Sequence, residues 1–316
     1  MQFNSLVFPS PLPSYTHSSL YGSLIYIPKD VGQWSITAPF VSFPLSLKLR
    51  RKEVLLSQHG SHKGACVPCL FLPCKLPSNK ILLHFHGNAE DVALTLDLLK
   101  LIRKELKVNI LAMEYRGYGV YEGDSAANVI LQDAETVFLY LTSVLRFPAE
   151  DIIVFGRSIG SGPACYLASK YNLHSLILMS AFTSLRDVVK GFVGSFLQFI
   201  VAERFNNKAW LAKAKCPVFI VHGKKDEIVS PSHAEELCAA LKSSHQLHMP
   251  DDMDHNSFGF LQDFVCPLMD FYERLGLSLD HRLKDAANTS GSDAECDPTA
   301  ECSKFYISIK AFNRPS

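Results

Sequence analysis

Between residues 50 and 276, short apolar runs of β type alternate with longer segments whose apolar residues recur every three or four positions. This alternation builds a parallel sheet covered by helices, because the strands bury both faces while each helix buries one stripe. Strands are expected over 53–58, 66–72, 80–86, 108–114, 151–156, 174–180, 216–222 and 245–249. Helices are expected over 90–106, 126–145, 159–171, 186–204, 232–242 and 257–275. The class is α/β, a mostly parallel central sheet of about eight strands flanked by helices. The sheet domain is expected over 48–283, with a Pro- and aromatic-rich arm over 1–47 packing on it. From residue 284 the composition becomes polar, which implies a largely disordered tail over 284–316. Its last run, FYISIKAF, reads either as a docked extra strand or as loose chain.

Charge and cysteine usage exclude several functions. Lys plus Arg (31) equals Asp plus Glu (31), so the chain offers no basic footprint for nucleic acid. Nine cysteines are an odd set without a secretory signal, which argues against a disulfide framework and for a reducing, cytoplasmic compartment. Cys66, Cys69 and Cys74 have the spacing of half a metal knuckle, but no second pair completes it, and buried strand cysteines are the expectation. The first 47 residues carry only Lys29 and Asp30 as charges, yet their six prolines forbid a membrane-spanning helix. Neither a myristoylation glycine nor a prenylation box is present.

Gly156-Arg157-Ser158-Ile159-Gly160 follows a β-type run and opens a helical one. In that strand-turn-helix context a G-x-S-x-G sequence forms a sharp turn that lifts a serine hydroxyl to the end of a central strand. The glycines are needed because neighbouring chain passes too close for side chains. A chain with 17 glycines produces the bare pattern by accident about once in ten, before the flanking context is required. The alternative is a glycine-rich turn that serves only tight packing.

A serine becomes a nucleophile only with a base to take its proton, an acid to orient the base and donors for the oxyanion. His86-Gly87-Asn88 ends the strand 80–86, and its turn could present the Asn88 amide to the same cavity as the Ile159 amide. The competing reading is that Asn88 simply caps the next helix. Asp226 follows the strand 216–222 and is the candidate acid; a solvated loop aspartate is the competing reading. His255 lies in the loop after the next strand, which gives the order Ser, Asp, His. His233, His245, His248 and His281 sit on or beside other elements. Asp251, Asp252 and Asp254 precede His255 and are expected to stabilise its charged form.

HFHGNAEDV, EYRGYGVYEG, GRSIGSGP, SAFTS, HGKKDEIV and DHN together resemble the protein 17 branch of the α/β-hydrolase-domain proteins, serine hydrolases that act as protein depalmitoylases. The resemblance runs over about residues 6–275. It implies the α/β-hydrolase fold, a Ser158, Asp226, His255 triad and hydrolysis of long-chain acyl thioesters on membrane-associated proteins. No cofactor or metal is implied. The animal members carry an N-terminal cysteine cluster for palmitoylation, whereas this chain has no cysteine before Cys66.

A short helical insert is expected before the acid-bearing strand, over 181–215. Phe192, Val193, Phe196, Phe199 and Ile200 recur there at helical spacing, as an acyl groove, a membrane-touching flap or an ordinary packed stripe would require. Tyr115, Arg116, Tyr118 and Tyr121 are expected to brace loops. The partner is an acylated protein or lipid ester. A small-ester or lipid esterase, a peptidase and a catalytically silent scaffold of the same fold are the other readings.

Overall fold

The computed structural model describes residues 8, 11–20, 23–30, 65–188, 204–279 and 306–308. The strand expected over 53–58, most of the helix over 186–204 with its apolar stripe, His281 and the polar stretch 284–304 lie outside them.

The strands are β1 (Leu24–Pro28), β2 (Cys66–Leu72), β3 (Ile81–Phe85), β4 (Asn109–Met113), β5 (Ile152–Arg157), β6 (Ser175–Met179), β7 (Val218–Val221) and β8 (His245–His248). They form one eight-stranded sheet in the order β1-β2-β4-β3-β5-β6-β7-β8. The pairs β1/β2 and β2/β4 are antiparallel, and β4 through β8 run parallel. The sheet thus has the expected α/β-hydrolase architecture. Its outermost strand comes from within the proline-rich arm, where Leu24-Ile25-Tyr26-Ile27 supplies the β-type residues. Pro28 is tolerated because the strand is at the edge.

The helices are α1 (Leu96–Leu106), α2 (Ala127–Ser143), α3 (Ser161–Lys170), α4 (Asn207–Leu211), α5 (Ser232–Ala240) and α6 (Cys266–Arg274). Strand residues alternate between two cores. Ile81, Leu83, Val154, Leu176, Leu178 and Ile220 meet α2, α3 and α5 on one face. Leu82, Ile153, Phe155, Ile177, Met179 and Phe219 meet α1 and α6 on the other. Burying a side chain of this size stabilises the fold by about 1.5–3 kcal/mol, which is why runs that looked uniformly apolar are held between two helical layers. No helix among the described residues is long and apolar enough to cross a membrane.

Two helices begin later than the periodicity predicts. Residues 91–95 form turns in which Asp91 Oδ1 accepts from the Ala93 and Leu94 amides, both at 3.1 Å, and α1 starts only at Leu96. The segment 257–275 is a short strand β9 (Ser257–Gly259), a π-helical turn over Phe260–Val265, and then α6. Pro267 has no N–H and its ring excludes the carbonyl four residues back, so a regular α-helix cannot run through from Ser257. A last strand, β10 (Tyr306–Ser308), pairs antiparallel with β9, so this part of FYISIKAF docks.

The arm is tied to the sheet domain by polar contacts as well. The Ser14 amide and hydroxyl donate to Asp91 at 2.8 and 2.6 Å, and the buried Tyr15 hydroxyl donates to Glu114 Oε2 at 2.8 Å. The chain runs outward in one direction from β3 to β4 and in the other from β5 onward, so the sheet's switch point lies between β3 and β5. Crevices at the carboxyl ends of such neighbouring strands are where open α/β sheets place their ligands.

Candidate active site

Ser158 stands one residue beyond β5 with φ of 51°. A side chain rarely adopts this conformation, and it is held here because the chain is pressed from both sides. A Cβ on Gly156 would come 2.5 Å from the Gly160 carbonyl oxygen, and one on Gly160 would come 2.6 Å from the Phe85 carbonyl carbon and 2.8 Å from His86 O. The two glycines therefore let the serine turn lie directly against the end of β3, where the His86-Gly87-Asn88 loop begins. Asn88 and Ile159, the residues expected to donate backbone N–H groups, follow adjacent parallel strands at the same end of the sheet. Asn88 does not cap a helix: α1 starts eight residues later, and Asn88 Oδ1 accepts from the Tyr118 hydroxyl at 2.7 Å.

His255 and Asp226 reach Ser158 from two other loops. His255 Nε2 lies 3.1 Å from Ser158 Oγ, and its Nδ1 lies 2.8 Å from Asp226 Oδ2. With Nδ1–H donating to the carboxylate, Nε2 is left to accept from the serine hydroxyl. All three residues are buried, Ser158 being 9% and His255 8% exposed. Asp226 is thus no solvated loop residue. Its Oδ1 accepts from the Ile228 and Val229 amides at 3.0 and 2.8 Å. Burial alone would raise its pKa, but hydrogen bonds from His222 and His255, the His255 charge and the Val229 amide hold it well below the usual carboxylate range.

The acid and histidine loops are bonded along their length. The Lys224 amide donates to Pro250 O and the Lys225 amide to Met253 O, both at 3.0 Å. Lys224 Nζ pairs with Asp251 at 2.5 Å and Lys225 Nζ with Asp252 at 2.6 Å. Asp254 accepts from the Asn256 and Ser257 amides, both at 2.7 Å. Asp251 and Asp252 are thus paired with lysines, and Asp254 caps a turn.

Beneath the Asn88 loop lies a buried polar cluster that sequence reasoning missed. His86 Nε2 is 3.0 Å from Glu114 Oε1, and Glu114 also accepts from the Val92 and Tyr115 amides, both at 3.1 Å. Burial alone would lower the His86 pKa, but the Glu114 hydrogen bond and charge, with Glu90, raise it. Tyr115 donates to His86 O at 2.8 Å and Tyr121 to Asp133 at 2.9 Å, so with Tyr118 these residues brace loops as expected. The sequence signal for this cluster was the pair of acids Glu90-Asp91 directly after HGNA, within an otherwise apolar stretch. Cys66 and Cys69 are buried on β2, and burial pushes both thiols up.

No family model matches the chain. It is 30% identical over 226 residues to alpha/beta hydrolase domain-containing protein 17C of Xenopus tropicalis, covering 72% of this chain and 70% of that one. The chain belongs to the alpha/beta hydrolase domain-containing protein 17 family. It is also 29% identical over 233 residues to alpha/beta hydrolase domain-containing protein WAV2 of Arabidopsis thaliana, covering 68% and 74% of the two chains. Among solved structures, the esterase Pf2001 of Pyrococcus furiosus superposes with a TM-score of 0.54 at 17% identity, over 66% of this chain and 85% of that one. At that identity the superposition shows the shared fold. Family membership supports a hydrolytic function on the α/β-hydrolase fold.

Proposed function

We propose that this hydrolase works through Ser158 as nucleophile, His255 as base and Asp226 as the acid that orients it, and that its substrates are long-chain acyl thioesters on proteins. The observation that carries the reading is the unbroken hydrogen-bonded line Ser158 Oγ–His255 Nε2 at 3.1 Å and His255 Nδ1–Asp226 Oδ2 at 2.8 Å. Attack of Ser158 Oγ on the acyl carbonyl passes its proton to His255 Nε2, and the Asn88 and Ile159 amides hold the developing oxyanion. Collapse breaks the carbon–sulfur bond, and His255 returns the proton to the departing cysteine sulfur. Water then cleaves the acyl-serine by the same steps in reverse order, releasing fatty acid. The thioester preference is supported by the family alone. Part of the same proposal is that the protein acts in the cytoplasm, in peripheral contact with membranes that carry such substrates.

The test is labelling of Ser158 by a fluorophosphonate, abolished in Ser158→Ala, followed by competition with palmitoylated peptide, lyso-lipid and short ester. Strongest protection by the palmitoylated peptide supports the thioesterase reading. Strongest protection by the short ester or the lipid replaces it with a carboxylesterase or lipase, and absence of labelling leaves a silent scaffold.

A further inference from the structure

Arg157, the last residue of β5, is 2% exposed and immediately precedes Ser158, yet its side chain turns away from the serine and joins two other loops. Its Nη1 forms an ion pair with Glu90 Oε1. Its Nη2 donates to the His255 carbonyl oxygen and to Asn256 Oδ1, both at 2.8 Å. Glu90 in turn uses Oε2 to accept from the Gly87 amide at 3.2 Å. A Cβ on Gly87 would overlap Arg157 Nη1 and come 3.0 Å from Glu90 Oε1, so the glycine of the HGN turn also makes room for the guanidinium.

We propose that Arg157 is a positioning residue that locks the Asn88 loop and the His255 loop onto the nucleophile turn. The inference rests on Ser158 and His255 acting as nucleophile and base. A guanidinium is a rigid planar fork whose two terminal nitrogens diverge, so one side chain satisfies a carboxylate on one loop and a carbonyl on another. The atom held on the histidine loop is the main-chain oxygen of His255 itself, the residue whose imbalance of even 1 Å would misalign Nε2 against Ser158 Oγ. The atom held on the other loop is a carboxylate that anchors the Gly87 amide, one residue before the Asn88 donor. Through a single buried group the base and the oxyanion donor are indexed to the strand that carries the nucleophile. Lysine, a point charge on a flexible stem, keeps the Glu90 pair and loses the fork.

The experiment uses the full chain, a p-nitrophenyl ester and active-site titration by a fluorophosphonate, so that kcat is expressed per reactive site. Arg157→Lys is expected to lower kcat about 100-fold with KM little changed, because misplacement rather than lost binding is the defect. Asn256→Ala, which removes one contact, is expected to lower kcat less and in the same way. In Arg157→Ala, millimolar guanidinium is expected to restore part of kcat, which a merely structural role does not predict. Near-wild-type kcat per titrated site in both Arg157→Lys and Asn256→Ala overturns the proposal, whether or not Arg157→Ala folds. A wild-type protein that neither takes the label nor cleaves the ester defeats the functional reading instead.

Discussion

His222 points its Nε2 at Asp226 Oδ2 from 3.3 Å, toward the same oxygen that accepts from His255. His222 is fully buried, and its Nε2 also donates to Val229 O at 2.8 Å. The candidate acid is thus flanked by two imidazoles and two backbone amides, a setting in which the anion is strongly preferred over the neutral acid.

A consequence for stability follows from the sign of that preference. The folded pKa of Asp226 lies below its unfolded value of about 3.9, so its contribution is fully present above that value and is lost as pH falls through the folded one. Asp226→Asn is therefore expected to be less stable than wild type at pH near 7, with the gap narrowing below pH of about 4. Urea denaturation of the two proteins across that range is the measurement. A gap that stays constant with pH contradicts the assignment.

His84 adds a second acid-sensitive contribution, from a group kept neutral by the fold rather than charged. It is buried on β3 against the Phe155 ring, with centroids 4.8 Å apart, and burial pushes its pKa down to about 3. Below the ordinary histidine value of about 6.5 the unfolded chain takes up a proton that the folded one refuses, so stability falls as pH drops from there toward 3. This group alone makes stability fall with acidification throughout that window. His84→Phe should flatten the acid slope of stability, as read by urea midpoints at pH values either side of 5. An unchanged slope would mean that His84 is not the neutral buried group described.

Gly160→Ala is expected to destabilise the protein by about 1–3 kcal/mol, since its Cβ meets backbone on both Phe85 and His86 and neither can swing aside. Activity should fall further than stability, because the displacement opens the distance between the serine turn and the Asn88 loop. Thermal denaturation and ester turnover on the same preparation separate the two effects.

Removing the acids before His255 should matter little to turnover. Asp251 and Asp252 are exposed and pair with Lys224 and Lys225, and exposed ion pairs contribute weakly. Asp251→Asn combined with Asp252→Asn is expected to leave the pH–rate profile of ester cleavage unmoved. A displaced acid limb would restore a direct action of these carboxylates on the imidazole.

The residues that meet at the site were legible where local pattern and topology coincide. Ser158 was marked by flanking glycines and by its place between a strand and a helix, and Asp226 and His255 by the ends of two later strands. Arg157, Glu90, Glu114 and His222 were not, because what distinguishes them is a polar partner 67, 28 or 4 residues away in sequence, and periodicity carries no information about such pairings. The strands expected over 66–72, 80–86, 108–114, 151–156, 174–180, 216–222 and 245–249 nearly match those of the sheet, because runs buried on both faces leave few alternatives. Its edge strand at Leu24–Pro28 was passed over since the surrounding prolines dominate the local signal, and the helix over 257–275 was overextended because Pro267 acts on the turn before it.

Tyr15 reaches under the Asn88 loop to donate to Glu114, the carboxylate that also holds His86 and the Val92 amide. A protein trimmed to begin at Leu24 would keep every strand of the sheet and the Ser158, Asp226 and His255 side chains. It would nevertheless leave a buried anion short of one donor directly below the loop, so such a shortened preparation is a different catalyst rather than a tidier version of the same one.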